Sequence, residues 1–283
     1  MKTSVTDLPV LKPFRAKPIA PTRLGVRTLL SAGVFAAIAM LFAASLALAQ
    51  ANTPAGRDDA LTILLRWAPL IFQGFLFNVT ISFLSMALGT VVGTLIGVAQ
   101  VSLIGAVRKI AWAITQFFRN APWLVLLFYA MFLLPFEFRV AGFTLTFPAW
   151  AKAVIGLALP VAANISEIIR GGIKSIPSAQ WESAEALAFN RHQTMWMIIL
   201  PQAVKRMIPP WMNLYAILTM ATTTISIVGI QDGLTVTRAA LIAESRPELL
   251  IPMYLLLLLL FFAYCYPIAR ATLALERRYH LKG

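Results

Sequence analysis

Apolar positions along this chain do not alternate in short strand-like runs; they accumulate into long stretches. A helix needs about 20 residues to cross a hydrocarbon core of ~30 Å, and six stretches of that size pass with almost no charge. They predict six membrane-spanning helices. The first covers residues 29–49. The second is placed near 72–98, inside a charge-free run over 67–107, with Trp67 and Pro69 at an interfacial front end. The third lies near 118–136, opened by Arg119-Asn120-Ala121-Pro122. The fourth lies near 149–168, the fifth near 208–230 and the sixth near 249–269, which contains an unbroken leucine run at 255–260.

Charge sits in the connections and carries orientation, because basic residues concentrate on the cytoplasmic side. Taken alternately, the connections fall into two sets. One set comprises the N-terminus, the 99–119 connection, the 166–207 connection and the C-terminal tail. It carries the whole net charge of +13, while the other set balances to zero. Both termini are therefore expected in the cytoplasm. Lys152, near an outer end, is expected to snorkel.

Composition then narrows the class. Of 283 residues, 59% are apolar and 12% charged, where a soluble domain carries about a quarter charged residues. That excludes a disordered chain. A basic chain also suggests nucleic acid, but such binders need a soluble basic face, and here the charge follows the spans. The single Cys excludes an internal disulfide framework and Cys-x-x-Cys motifs. His192 and His280 lack metal-ligand spacing, so no metal site is expected.

Four segments are read: a basic, Pro-rich cytoplasmic tail over 1–28, an extra N-terminal span over 29–49, a transmembrane domain over 66–270 and a cytoplasmic tail over 271–283. Residues 29–49, ending Ala47-Leu48-Ala49 before Gln50, also fit a signal peptide with its cleavage site. The full membrane length of the stretch favours a retained span.

One connection stands out. Within 166–207, Pro177 suits a helix start, and residues 178–189 read as a short helix. Glu182 and Glu185 share one face, and Ala184 and Ala188 form a small-residue face. Asn190 and Gln193 have capping-box spacing, so a second helix is expected from Arg191, interrupted or kinked at Pro201.

WESAEALAFNRHQTMWMIILPQA in this connection resembles the EAA loop of ABC-importer permeases, with its Ile-x-Leu-Pro ending. SEIIRGGIKSIPSAQ, FFRNAPWLVLLF and NVTISFLSMALGTVVGTLIGVAQ resemble further segments of the polar amino acid permeases, and together the likeness covers about 66–270. The resemblance implies an all-α integral membrane protein. Its fold would be that of a type I ABC importer permease, with five core helices plus one extra N-terminal helix. It implies uptake of a polar amino acid from a periplasmic binding protein, through a path formed with a second permease copy or a homologous permease in the bilayer of the inner membrane. An ABC ATPase dimer carrying ATP and Mg would supply energy. This chain has no G-x-x-x-x-G-K-[ST] loop, so it is expected to be no enzyme and to bind no cofactor itself.

The resemblance assigns the ATPase-coupling loop to Glu182, Ser183, Ala184, Glu185, Leu187, Ala188, Asn190, Leu200 and Pro201. By itself Glu182 reads as a solvated acid; the motif makes it an ATPase contact. Ser183 stands where relatives have Ala, and Ala188 where they have Gly. Ala resists a left-handed turn, so the turn either shifts to Asn190 or loosens. Met195, Trp196 and Met197 either pack the second loop helix or meet the ATPase. Asn120, Asn164, Glu167, Arg170, Thr222 and Thr223 are candidates for a gate or substrate path. Their plainer reading is hydrogen bonding between helices, in which Asn78 would share, and a local ion pair of Arg170 with Glu167. Met220 replaces a Lys found in relatives. An ion-coupled secondary transporter of small polar solutes is the alternative, but the central thirds of the spans lack the acids it would need.

Overall fold

A computed structural model describes residues 24–53, 58–140 and 143–280. Most of the basic N-terminal tail lies outside these. The chain divides into two compact units, residues 1–44 and 45–283. The described part of the first is helical and belongs to α1 (Leu24–Ala51), which contains the expected first span.

In the second unit, α2 (Ala60–Gln100) runs for 41 residues, about 60 Å at 1.5 Å per residue. It begins at Ala60 and runs through Pro69 as one helix, twelve residues ahead of the span expected near 72–98. Its first turns pack into the bundle, with Ala60, Ile63 and Leu64 buried, and Trp67 Nε1 donates to Glu244 at 2.8 Å.

The expected third span is not one helix. Residues α3 (Gly105–Asn120) and α4 (Trp123–Leu133) are separate, with Ala121 and Pro122 extended between them. Proline disfavours helical geometry in the residue before it, which places the break. The 11 residues of α4 rise about 16 Å, well short of the hydrocarbon core. A two-stranded antiparallel hairpin follows, β1 (Glu137–Val140) on β2 (Phe143–Thr146), a small departure from an all-helical reading.

Helix α5 (Ala149–Lys174) extends the fourth span by six residues and is the most buried of the long apolar helices. It packs chiefly on α2 and α4. Its packing on α2 depends on a ridge of small residues: Gly89, Gly93 and Gly97 recur every fourth position. A Cβ added at Gly93 would lie 2.5 Å from the Ala162 carbonyl oxygen, and one at Gly89 2.5 Å from Val161 Cγ1. Small residues at this spacing let two helix backbones approach.

After α5 come α6 (Ser178–Ala186), α7 (Arg191–Gln193), a π-helical stretch Thr194–Ile199 and α8 (Leu200–Ala221). A 3₁₀ segment Thr222–Val228 leads to α9 (Gly233–Glu244), and α10 (Leu250–His280) closes the chain. Residues 271–280, expected as a tail, continue α10. The core joins Ile81 and Met86 of α2, Leu127 of α4, Leu157 and Val161 of α5, and Leu214 and Leu218 of α8.

Lys152 does not snorkel. It is 0% exposed, and Nζ donates to the carbonyls of Leu134 at 2.6 Å and Met131 at 3.3 Å. It also lies over the Phe136 ring, 3.2 Å from its centre. The ammonium therefore caps the last carbonyls of α4, where the helix dipole is negative.

Candidate functional site

The loop between α5 and α8 is built as its residues dictate. Helix α6 begins immediately after Pro177 and ends earlier than expected, at Ala186. The Phe189 N–H donates to the Ala184 carbonyl at 3.0 Å, and the Ala188 N–H to that of Glu185 at 2.9 Å. This pair closes a Schellman turn, which needs a left-handed residue at Ala188. Ala188 takes it, with φ at 56°. The turn does not shift to Asn190, whose φ of −73° is that of an ordinary N-cap. Asn190 instead makes the expected reciprocal box: its Oδ1 accepts from the Gln193 N–H, and Gln193 Oε1 accepts from the Asn190 N–H, both at 2.9 Å.

The chain does not break at Pro201. The preceding stretch widens to π-helical bonding, so the Leu200 N–H reaches the Met195 carbonyl, and Pro201 falls in the first turn of α8. A proline that lacks an N–H costs little there.

Burial sorts the faces. Ala184 is 1% exposed and faces inward, beneath Trp181, which packs on Ile173, Ile176 and Ile199. Glu182, Ser183, Glu185 and Asn190 are exposed, and Leu187 is 70% exposed. Ala188, also exposed, does not share a face with Ala184. Met195 packs inward, while Trp196 and Met197 stand in the open.

A second feature is a cavity of about 830 Å³ between α3, α5, α8 and α10, lined by Arg119, Asn164, Glu167, Arg206, Asn213 and Glu276 among others. Glu167 sits on its wall. Its Oε2 accepts from Arg170 Nη2 at 2.6 Å, Arg170 Nε donates to Oε1 at 3.3 Å, and Arg119 Nη1 lies 3.6 Å away. Arg206 donates to the Ser175 carbonyl at 2.7 Å, and Asn164 to the Pro160 carbonyl at 2.8 Å.

The structure thus brings Asn164 and Glu167 together at the cavity, with Arg170 paired behind. It does not bring Asn120, which bonds the Gln116 carbonyl of its own helix at 2.7 Å. Thr223 bonds the Met220 carbonyl, and Thr222 is buried against Asn78 at 3.2 Å, an interhelical bond of the plainer kind expected. Arg206, Asn213, Glu276 and Tyr279 were not singled out in the sequence. Their helical spacing on α8 and α10 shows only that they could share a face, and no local motif marks them.

The described residues thus form a bundle of long apolar helices with a cavity lined by charged and apolar side chains and a short helix, α6, packed at one end. Residues 89–281 match the family described as binding-protein-dependent transport system inner membrane component, and the chain belongs to it. It is similar to the probable amino-acid ABC transporter permease protein YckA of Bacillus subtilis (strain 168), 35% identical over 211 residues, covering 75% of this chain and 89% of that protein. It also resembles the probable glutamine ABC transporter permease protein GlnP of the same organism, 27% identical over 208 residues, covering 74% and 93%. A solved structure described as an amino acid ABC transporter with histidines has the same fold, at a TM-score of 0.68 and 24% identity, over 78% of this chain and 99% of that one. The fold is that of a type I ABC importer permease. The chain is a multi-pass permease subunit of the inner membrane and not the enzyme of its transporter.

Proposed function

We propose that this permease admits a polar amino acid delivered by a periplasmic binding protein, and that α6 couples it to an ABC ATPase dimer holding ATP and Mg. Both termini lie in the cytoplasm, and a second copy or a homologous permease completes the path formed by the helices from α2 to α10. The observation that carries the coupling is the division of faces on α6. Ala184 and Trp181 fix it to the bundle, while Glu182, Glu185 and Leu187 stand exposed, a short helix offered to a groove. Exchange between inward-open and outward-open states then follows from nucleotide bias on a preexisting equilibrium.

The substrate reading draws on the names of the relatives and on the cavity. Arg119 and Arg206 could receive a carboxylate, and Glu167 and Glu276 an ammonium, as a zwitterion requires. Asn164 adds a neutral contact.

The test is Glu182→Lys in the full transporter, with ATPase co-purification and ATP-driven uptake measured together. Both should be lost while the protein remains in the membrane. Retention of both overturns the coupling role, and uptake that persists without ATP but fails with uncouplers overturns the ABC mechanism.

A further inference from the structure

A second pocket, of about 490 Å³, opens between the α2–α3 turn, the end of α5 and the start of α7. Three cations from three elements converge on it: Arg108 of α3, Lys174 of α5 and Arg191 of α7. No acid lines it. Among the described residues none of the three takes part in an ion pair, so their mutual repulsion is uncompensated within the chain. Gln100, 2% exposed, also lines the pocket. Its Nε2 is committed to Thr115 at 2.9 Å and Ser166 at 3.1 Å, yet its Oε1 has no hydrogen-bond partner. A buried acceptor left in this way costs free energy and calls for a donor. The cations that line the pocket suit it to an anion.

The surroundings choose the source. Beside Arg108 the chain exposes Leu103, Ile104, Val107 and Ile110, an apolar flank for acyl chains next to a basic head site. We propose that this pocket holds the phosphodiester headgroup of an anionic phospholipid of the adjoining leaflet. The three cations meet the phosphate. Basic pockets between helices at a membrane surface recognise lipid heads in this manner. The proposed orientation enters only in naming that leaflet as the cytoplasmic one. Trp181 of α6 lines the same pocket, so the lipid would brace the loop that α6 belongs to.

The test uses the purified full chain in neutral detergent, titrated with phosphatidylglycerol, phosphatidylcholine or inorganic phosphate. Thermal unfolding and retained lipid by native mass spectrometry are the readouts, and neither depends on uptake or on the ATPase. Phosphatidylglycerol should bind and raise the melting temperature; the other two should not. Lys174→Gln and Arg108→Gln should each weaken binding about fivefold, the factor one surface charge is worth. Lys174→Arg should bind as the parent does, which separates lost charge from misfolding. Lys205→Gln, an exposed cation outside the pocket, should change nothing. Equal stabilisation by inorganic phosphate overturns the lipid assignment. Equal loss in Lys205→Gln, or no loss in the pocket variants, overturns the site.

Discussion

Asn78 and Asp232 lie 154 positions apart in sequence, are both 0% exposed, and meet with Asn78 Nδ2 donating to Asp232 Oδ2 at 3.1 Å. The same amide donates to Thr222 Oγ1, and Asn78 Oδ1 accepts from the Gly233 N–H at 3.0 Å. Asp232 meanwhile caps α9, its Oδ1 accepting from the Thr235 N–H at 2.9 Å and hydroxyl at 2.8 Å. One side chain on α2 thus ties down the 3₁₀ segment and the start of α9. Replacing it by Leu leaves a buried carboxylate oxygen and a buried N–H without that partner. Asn78→Leu should cost about 3 kcal/mol, read as a lowered melting temperature in detergent. An unchanged melting temperature would show that the network contributes nothing.

At the α2–α5 contact, Gly93→Ala should destabilise by about 1–3 kcal/mol, since the added methyl meets a backbone oxygen that cannot turn aside. Gly105→Ala, where nothing lies within 4 Å, should be neutral or stabilising by up to about 1 kcal/mol through helix propensity. Thermal unfolding of the pair separates steric contact from any general effect of glycine.

Lys152→Met keeps much of the volume but strips the donors from the Met131 and Leu134 carbonyls. A loss of about 1–3 kcal/mol is expected, with faster hydrogen exchange at the end of α4 as the local sign. Were Lys152 snorkelling, the substitution would be almost silent.

Ala188→Gly should stabilise the loop by about 1 kcal/mol, because it removes the left-handed strain of a residue with a Cβ. Slower hydrogen exchange at the amides of Ala188 and Phe189 would report it. Ala188→Val should move both readings the other way.

Glu167→Gln takes the charge that Arg170 and Arg119 share at the cavity wall. ATP-driven uptake should fall while the ATPase still co-purifies, because α6 is untouched. Full uptake would remove Glu167 from the path.

What the sequence disclosed followed from local physics. The long apolar runs reveal α1, α2, α5, α8 and α10, since a bilayer demands internally satisfied backbone. The box at Asn190 and Gln193 was legible because its partners are three residues apart. Lys152 was misread because its ligands are carbonyls of α4, 18 and 21 positions away, which no side-chain pattern records. For Asp232 the cap onto Thr235 is local, but the bond that buries it comes from Asn78 on α2, 154 positions away. The glycines at 89, 93 and 97 carry no functional mark of their own, and only the partner helix shows that their faces are occupied. At the cavity, Glu167 and Arg170 belong to one helix and were readable as a pair, whereas Arg206 and Glu276 arrive from other helices.

The glycine ridge has a mechanical consequence. Where a single methyl finds no room, α2 and α5 cannot slip past one another along their axes without lifting apart. The end of α5 lies only a few residues before α6. If α6 is driven as proposed, a push there would reach α2 and α5 as one stiff unit that can tilt but not shear.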